Sequence, residues 1–228
     1  MDASAYPAPP PWEEPAKVSN PNIEEPDQPP ADEGIISGSL ERIDDFLELT
    51  RSKGILRRYL AMNAFDGAMT SLGVVIGSYI AAVENPKSVL DIILLGAVAM
   101  AVSGFTGTYM VESAERKKRL NEIEEVSPSE APAYRRAARF VSAFAAVVDG
   151  SAPFLASVPC LIPFALAYYG VIEIHVAFYS AIGGALATLF VIGAFLGKIS
   201  ESSIIYSGLK MVVAGSLVAL IAFALGQQ

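Results

Sequence analysis

Histidine and cysteine are nearly absent from this 228-residue chain, which has one of each. The single Cys160 excludes an internal disulfide and a thiolate metal cage, and the lone His175 cannot build an imidazole one. Charge is scarce as well. Only 18% of residues are Asp, Glu, Lys or Arg, against ~25% in an ordinary soluble domain. The deficit is uneven: residues 61–111 and 140–226 hold few charges, while much of the acid lies in the first sixty residues. The net charge of −8 therefore describes mainly a tail, and it gives no ground for nucleic acid as a partner. The N-terminus also lacks a basic stretch followed by an apolar one, so no secretory signal is expected.

What the chain has instead is long hydrophobic runs. Residues 61–83, 89–111, 174–197 and 204–225 each match the ~20 helical residues that cross a hydrocarbon core of ~30 Å. The run 140–172 is too long for one such span and too short for two. Pro153, Pro159 and Pro163 fall inside it, which predicts a span kinked or broken near its middle or end. The fold class expected is an all-α integral membrane bundle of five transmembrane helices. Residues 1–34 hold most of the prolines and many acids, and such a composition predicts a disordered tail. In residues 35–58, Ile36, Leu40, Ile43 and Leu47 recur at helical spacing, which predicts an amphipathic helix on the membrane surface. Residues 59–228 then form the transmembrane domain, with a charged connection over 113–136.

Orientation follows from the basic residues. All sixteen Lys and Arg except Lys87 precede the first span or lie within 113–139 and 198–210. A bias so one-sided predicts a cytoplasmic N-terminus and a C-terminus on the opposite side.

Two aspartates lie well inside the apolar runs, Asp66 in the first and Asp149 in the third, each followed by glycine. A carboxylate at membrane depth costs about 3 kcal/mol even on the lenient insertion scale, which makes both candidate functional residues. Met69 and Thr70 follow Asp66 at three and four residues, so they share its helix face, with Met62 four residues back. Gly73 and Gly77 continue that stripe with residues small enough for another helix to approach. A carboxylate from each of two helices would make a cation site or a proton-accepting pair. Met100 offers a soft ligand in the second span, and Glu112 and Glu115 stand at its mouth, where carboxylates can collect cations.

Three segments carry a family resemblance. Asp66-Gly67-Ala68-Met69-Thr70-Ser71-Leu72-Gly73-Val74-Val75-Ile76-Gly77 resembles the first-span signature of the vacuolar iron transporter family. Ser103 to Glu115, with Gly107-Thr108-Tyr109-Met110 and Ser113-Ala114-Glu115, is similar to the end of that family's second span. The stretch from Gly193-Ala194-Phe195 through Ser207-Gly208-Leu209-Lys210-Met211 resembles its last two spans, and Pro159 and Pro163 its third. The chain departs at Ser103-Gly104, where many members have Ser-Met, and at Gly107-Thr108-Tyr109, where they have Gly-Glu-Tyr. Met100 replaces an aspartate, and the connection to the third span is shorter than in members with a helical metal-collecting domain.

The resemblance implies a homodimer in membrane lipid that exchanges Fe²⁺ or Mn²⁺ for protons, with Asp66 and Glu115 at the family's acidic positions. The metal would be the transported ion, with no cofactor bound permanently. Asp66, Met69, Met100, Glu112, Glu115 and Asp149 are then the candidate metal-handling residues, and Asp66 and Asp149 the proton-coupling pair. Asp149 can supply the carboxylate missing from the second span. The chain is read as a transporter, not an enzyme. An intramembrane aspartyl protease would also use two aspartates as a shared-proton dyad, but those enzymes read Gly-x-Gly-Asp, an order found at neither site here. A non-transporting membrane scaffold, with the acidic tail as its working part, is the alternative.

Overall fold

The ends of the helices show how the chain divides itself. A computed structural model describes residues 43–225, and these are helical without any strand. Five long helices follow one another: α1 (Lys53–Ile80), α2 (Pro86–Val126), α3 (Ala131–Tyr168), α4 (Ile174–Ile199) and α5 (Ile204–Leu225). All five are long and apolar enough to cross a membrane, so the chain is a multi-pass, all-α membrane bundle. The tail expected over 1–34 and the first residues of the expected surface helix lie outside the described residues.

Four helix ends close with the same backbone device. After Tyr168, Gly170 adopts φ +72°, its N–H donates to Ala167 O, and Val171 N–H reaches back to Leu166 O at 2.9 Å. The residues at the same position after 43–49, α1 and α4 are Arg51, Ala82 and Glu201, at φ 52°, 51° and 52°. Only glycine takes this conformation without strain. The helix break at 50–52 therefore has no glycine to announce it, and it divides the single helix expected over 35–58. Residues 43–49 form a separate helix, and α1 starts at Lys53. At the start of α2, Asn85 Oδ1 accepts from Lys87 N–H at 3.0 Å and Pro86 occupies the first turn.

The charged connection expected over 113–136 is itself mostly helix. The run Glu115–Glu125 is built from strong helix formers, so α2 continues through it to Val126, and α3 resumes at Ala131. Arg135 pairs with Glu124 across this hairpin. Further along, α3 stays helical through all three prolines, which settles the expectation of a break in favour of one continuous helix. A proline in a membrane helix is tolerated when neighbours satisfy the freed groups. Separately, Ser157 Oγ donates to the Pro153 carbonyl four residues back at 2.8 Å.

Helix α3 is the centre of the bundle, packing against α1, α2 and α4. Leu72 and Val75 of α1, Val89 of α2, Phe164 of α3 and Leu189 of α4 are fully buried in the shared core. Glycines set the closest approaches. A Cβ on Gly67 of α1 would overlap the backbone of Pro153, and one on Gly150 would lie 2.7 Å from Ala101 O. Large apolar side chains such as Leu95, Val191 and Leu220 face outward, a cost in water but not in lipid.

Candidate functional site

Three helices meet at one buried carboxylate. Asp149 of α3 is 3% exposed. Thr108 Oγ1 of α2 donates to its Oδ2 at 2.5 Å, and Asn63 Nδ2 of α1 donates to its Oδ1. Gly104, one turn before Thr108, leaves the space the carboxylate fills, since a Cβ there would come within 3.3 Å of Oδ2. Both donors are neutral, and among the described residues no Lys, Arg or His pairs with Asp149. Hydrogen bonds orient the carboxylate without cancelling its charge. A proton or a cation would remove or balance the charge that remains.

A polar file leads from this site to the basic end of the bundle. On α2, Thr108, Glu112 and Arg116 follow at four-residue steps, and all three are buried. Tyr59, one turn before Asn63 on α1, donates its hydroxyl to Glu112 Oε1 at 2.9 Å. Arg116 Nη2 donates to Glu112 Oε2 at 2.6 Å and to Ser52 Oγ at 2.9 Å. Asn63 also reaches the Tyr59 carbonyl at 3.4 Å. In the other direction, one turn past the Gly67–Pro153 contact, Ser71 Oγ donates to Ser157 Oγ at 2.8 Å. The α1 positions 59, 63, 67 and 71 thus line one internal stripe, with Gly67 as its apolar constriction.

The other candidate residues are distributed differently from the expectation. Asp66 lies on the exposed side of α1 together with Met62, Thr70 and Gly77, so the polar partners of Asp149 are Asn63 and Thr108, not Asp66. Met69 is half-buried against the core, and Met100 is half-buried on α2. Glu112, expected at the mouth, is buried and paired with Arg116, and it lines the same cavity as Glu115. Glu115 is exposed and borders a cavity of about 280 Å³ with Glu122, Lys118 and Arg119. No three of the Asp, Glu, His or Cys side chains among the described residues converge on a point that could hold a metal ion. No three of the candidate set's four carboxylates, Asp66, Glu112, Glu115 and Asp149, therefore share such a point.

Asn63, Thr108, Tyr59 and Arg116 are the polar residues that the sequence did not single out for the site. Thr108 was visible only as a departure from the family pattern. Asn63, three residues before Asp66, lies only ~60° from it around the helix axis, so the spacing alone does not say which of the two faces inward. Only the packing of α1 on α3 shows that Asn63 does.

In sequence, the chain is 31% identical over 172 residues to an uncharacterized protein of the archaeon Methanocaldococcus jannaschii, a match spanning 73% of this chain and 86% of the relative. No protein-family model matches the chain, and no solved structure matches it significantly. Identity of this extent along most of both chains shows common descent: this five-helix membrane protein belongs to the same family as the archaeal protein.

Proposed function

We propose that this protein carries a divalent cation, Fe²⁺ or Mn²⁺, across the membrane in exchange for protons. The observation that supports the reading is Asp149: a carboxylate buried among three apolar helices, hydrogen-bonded by neutral groups and without a counter-charge among the described residues. Such a group is costly unless it has work to do at membrane depth. A proton neutralises it in one state and a cation in the other, so loading one ion releases the other.

The resemblance of residues 66–77 to the vacuolar iron transporter family supports the choice of cation. Where members of that family carry a second-span glutamate, this chain has Thr108, and the Thr108 hydroxyl is bonded to Asp149. Asp149 thereby provides a carboxylate at the same level from the neighbouring helix. In the orientation that the basic residues favour, Glu115 and Glu122 stand at the cytoplasmic mouth, and the file from Glu112 to Asn63 leads inward.

Asp66 supports a homodimer. The stripe Met62, Asp66, Thr70 and Gly77 is exposed in the protomer, and an ionisable side chain facing lipid is unfavourable. A second copy packed on the small residues of this stripe would cover it and bring two Asp66 carboxylates together.

Proteoliposomes with an imposed pH gradient test the reading. Wild-type protein is expected to take up Fe²⁺ or Mn²⁺ and to move protons the other way. Asp149→Asn, which removes the buried carboxylate, and Asp66→Asn, which removes the one on the exposed stripe, should each lower the flux by about tenfold or more. Undiminished flux in both folded variants would remove the basis for the proposal.

A further inference from the structure

A second cavity, which shares Arg116 with the polar file, is lined mainly by basic side chains. It measures about 380 Å³ and lies between the basic-end halves of α2 and α3, within the ~300–1,000 Å³ of small-molecule sites. Arg116, Lys117, Arg135 and Arg139 line it, against the single carboxylate of Glu124, and that carboxylate is already paired with Arg135. Lys117 and Arg139 have no ion-pair partner among the described residues.

Two buried polar atoms are left without hydrogen-bond partners among the described residues: Arg116 Nε and Ser142 Oγ. Both residues border this same cavity. The Arg116 guanidinium is anchored through its Nη2 to Glu112 and Ser52, while its Nε–H has no partner among the described residues. Unpaired buried donors are rare in folded proteins and call for a ligand or a reason.

The cavity also has a defined depth. Tyr109 lines it near the end of the apolar run of α2, and Ser142 lines it near the start of the apolar run of α3. It therefore spans the level where hydrocarbon gives way to headgroups. Basic pockets between membrane helices at that level suit phosphate groups, which accept several hydrogen bonds and carry the complementary charge.

We propose that this cavity is a binding site for a phosphate group, bonded by Arg116 Nε and Ser142 Oγ and held electrostatically by Lys117 and Arg139. The site does not depend on cation transport. The phosphate comes either from an anionic phospholipid headgroup or from a soluble phosphate.

Titration of the full-length protein in non-ionic detergent, with dioctanoyl phosphatidic acid in one arm and inorganic phosphate in the other, tests the site and separates the sources. Binding of the lipid alone assigns a headgroup site, and binding of inorganic phosphate assigns a soluble one. Lys117→Gln/Arg139→Gln should weaken the binding about thirtyfold, and Ser142→Ala about tenfold. Ser142→Ala removes a hydroxyl that bonds nothing in the protein, so its melting temperature without ligand should match the wild type. This keeps the test valid if Arg116 variants fail to fold. Lys118→Gln/Arg119→Gln, which removes equal charge from the neighbouring cavity, should leave the affinity unchanged. No binding in either arm, or equal losses in the two double variants, would overturn the proposal.

Discussion

The Thr108 hydroxyl stands 2.5 Å from the Asp149 carboxylate, joining α2 to α3 inside the bundle. Asn63 completes the contact from α1, so a single acidic group ties three helices. In apolar surroundings such a bond cannot be replaced by water. Thr108→Val, which keeps the shape and removes the donor, should lower stability by about 1–2 kcal/mol. Thr108→Ser should stay near the wild type. Thermal unfolding in detergent measures both, and an unperturbed Thr108→Val would mean that the bond contributes nothing.

The Glu112–Arg116 pair is buried on both sides. Removing one member leaves the other charged and unpaired, so Glu112→Leu or Arg116→Met alone should cost about 3–5 kcal/mol. The double variant Glu112→Leu/Arg116→Met removes both charges and should recover most of that loss. A double variant as unstable as the worse single one would show that Tyr59 and Ser52, not the ion pair, hold this part of the file.

Ala82 is exposed and adopts φ 51° after α1, a conformation in which its Cβ is strained. Ala82→Gly should raise stability by about 1 kcal/mol. Gly170 occupies the same position after α3 at φ +72°, with nothing within 4 Å of an added Cβ. Gly170→Ala should therefore cost a similar amount. Melting temperatures that move in the same direction for both substitutions would contradict this account.

The exposed stripe of α1 can be probed by crosslinking. The native Cys160 is buried, so it leaves no reactive background. Thr70→Cys should form an oxidant-dependent dimer in membranes if two copies pack on the Asp66 face. Val191→Cys, on an outward part of α4, should not. Crosslinking equal at both positions would signal random collision and not a defined interface.

The spans were legible from the chain alone because the bilayer imposes a length and an apolar composition on each crossing helix. Residues 204–225 were bounded as the structure bounds α5, and the other four helices contain most of their expected runs. The break at 50–52 was not legible, because Arg51 adopts a glycine-like conformation without being glycine. The helical hairpin in 113–136 was hidden for another reason: charge marks where lipid ends, not where a helix ends.

The aspartates divide along the same line. By itself the sequence determined that Asp66 and Asp149 lie in membrane-spanning helices, since one-dimensional hydropathy fixes depth. Which of them points inward was decided by the tertiary structure alone. Gly67 against Pro153, and Gly150 against Ala101, bring the helix backbones close on one side only. That asymmetry turns Asn63 and Asp149 into the bundle and leaves Asp66 on its surface, a rotation about the helix axis that depth along the chain cannot encode.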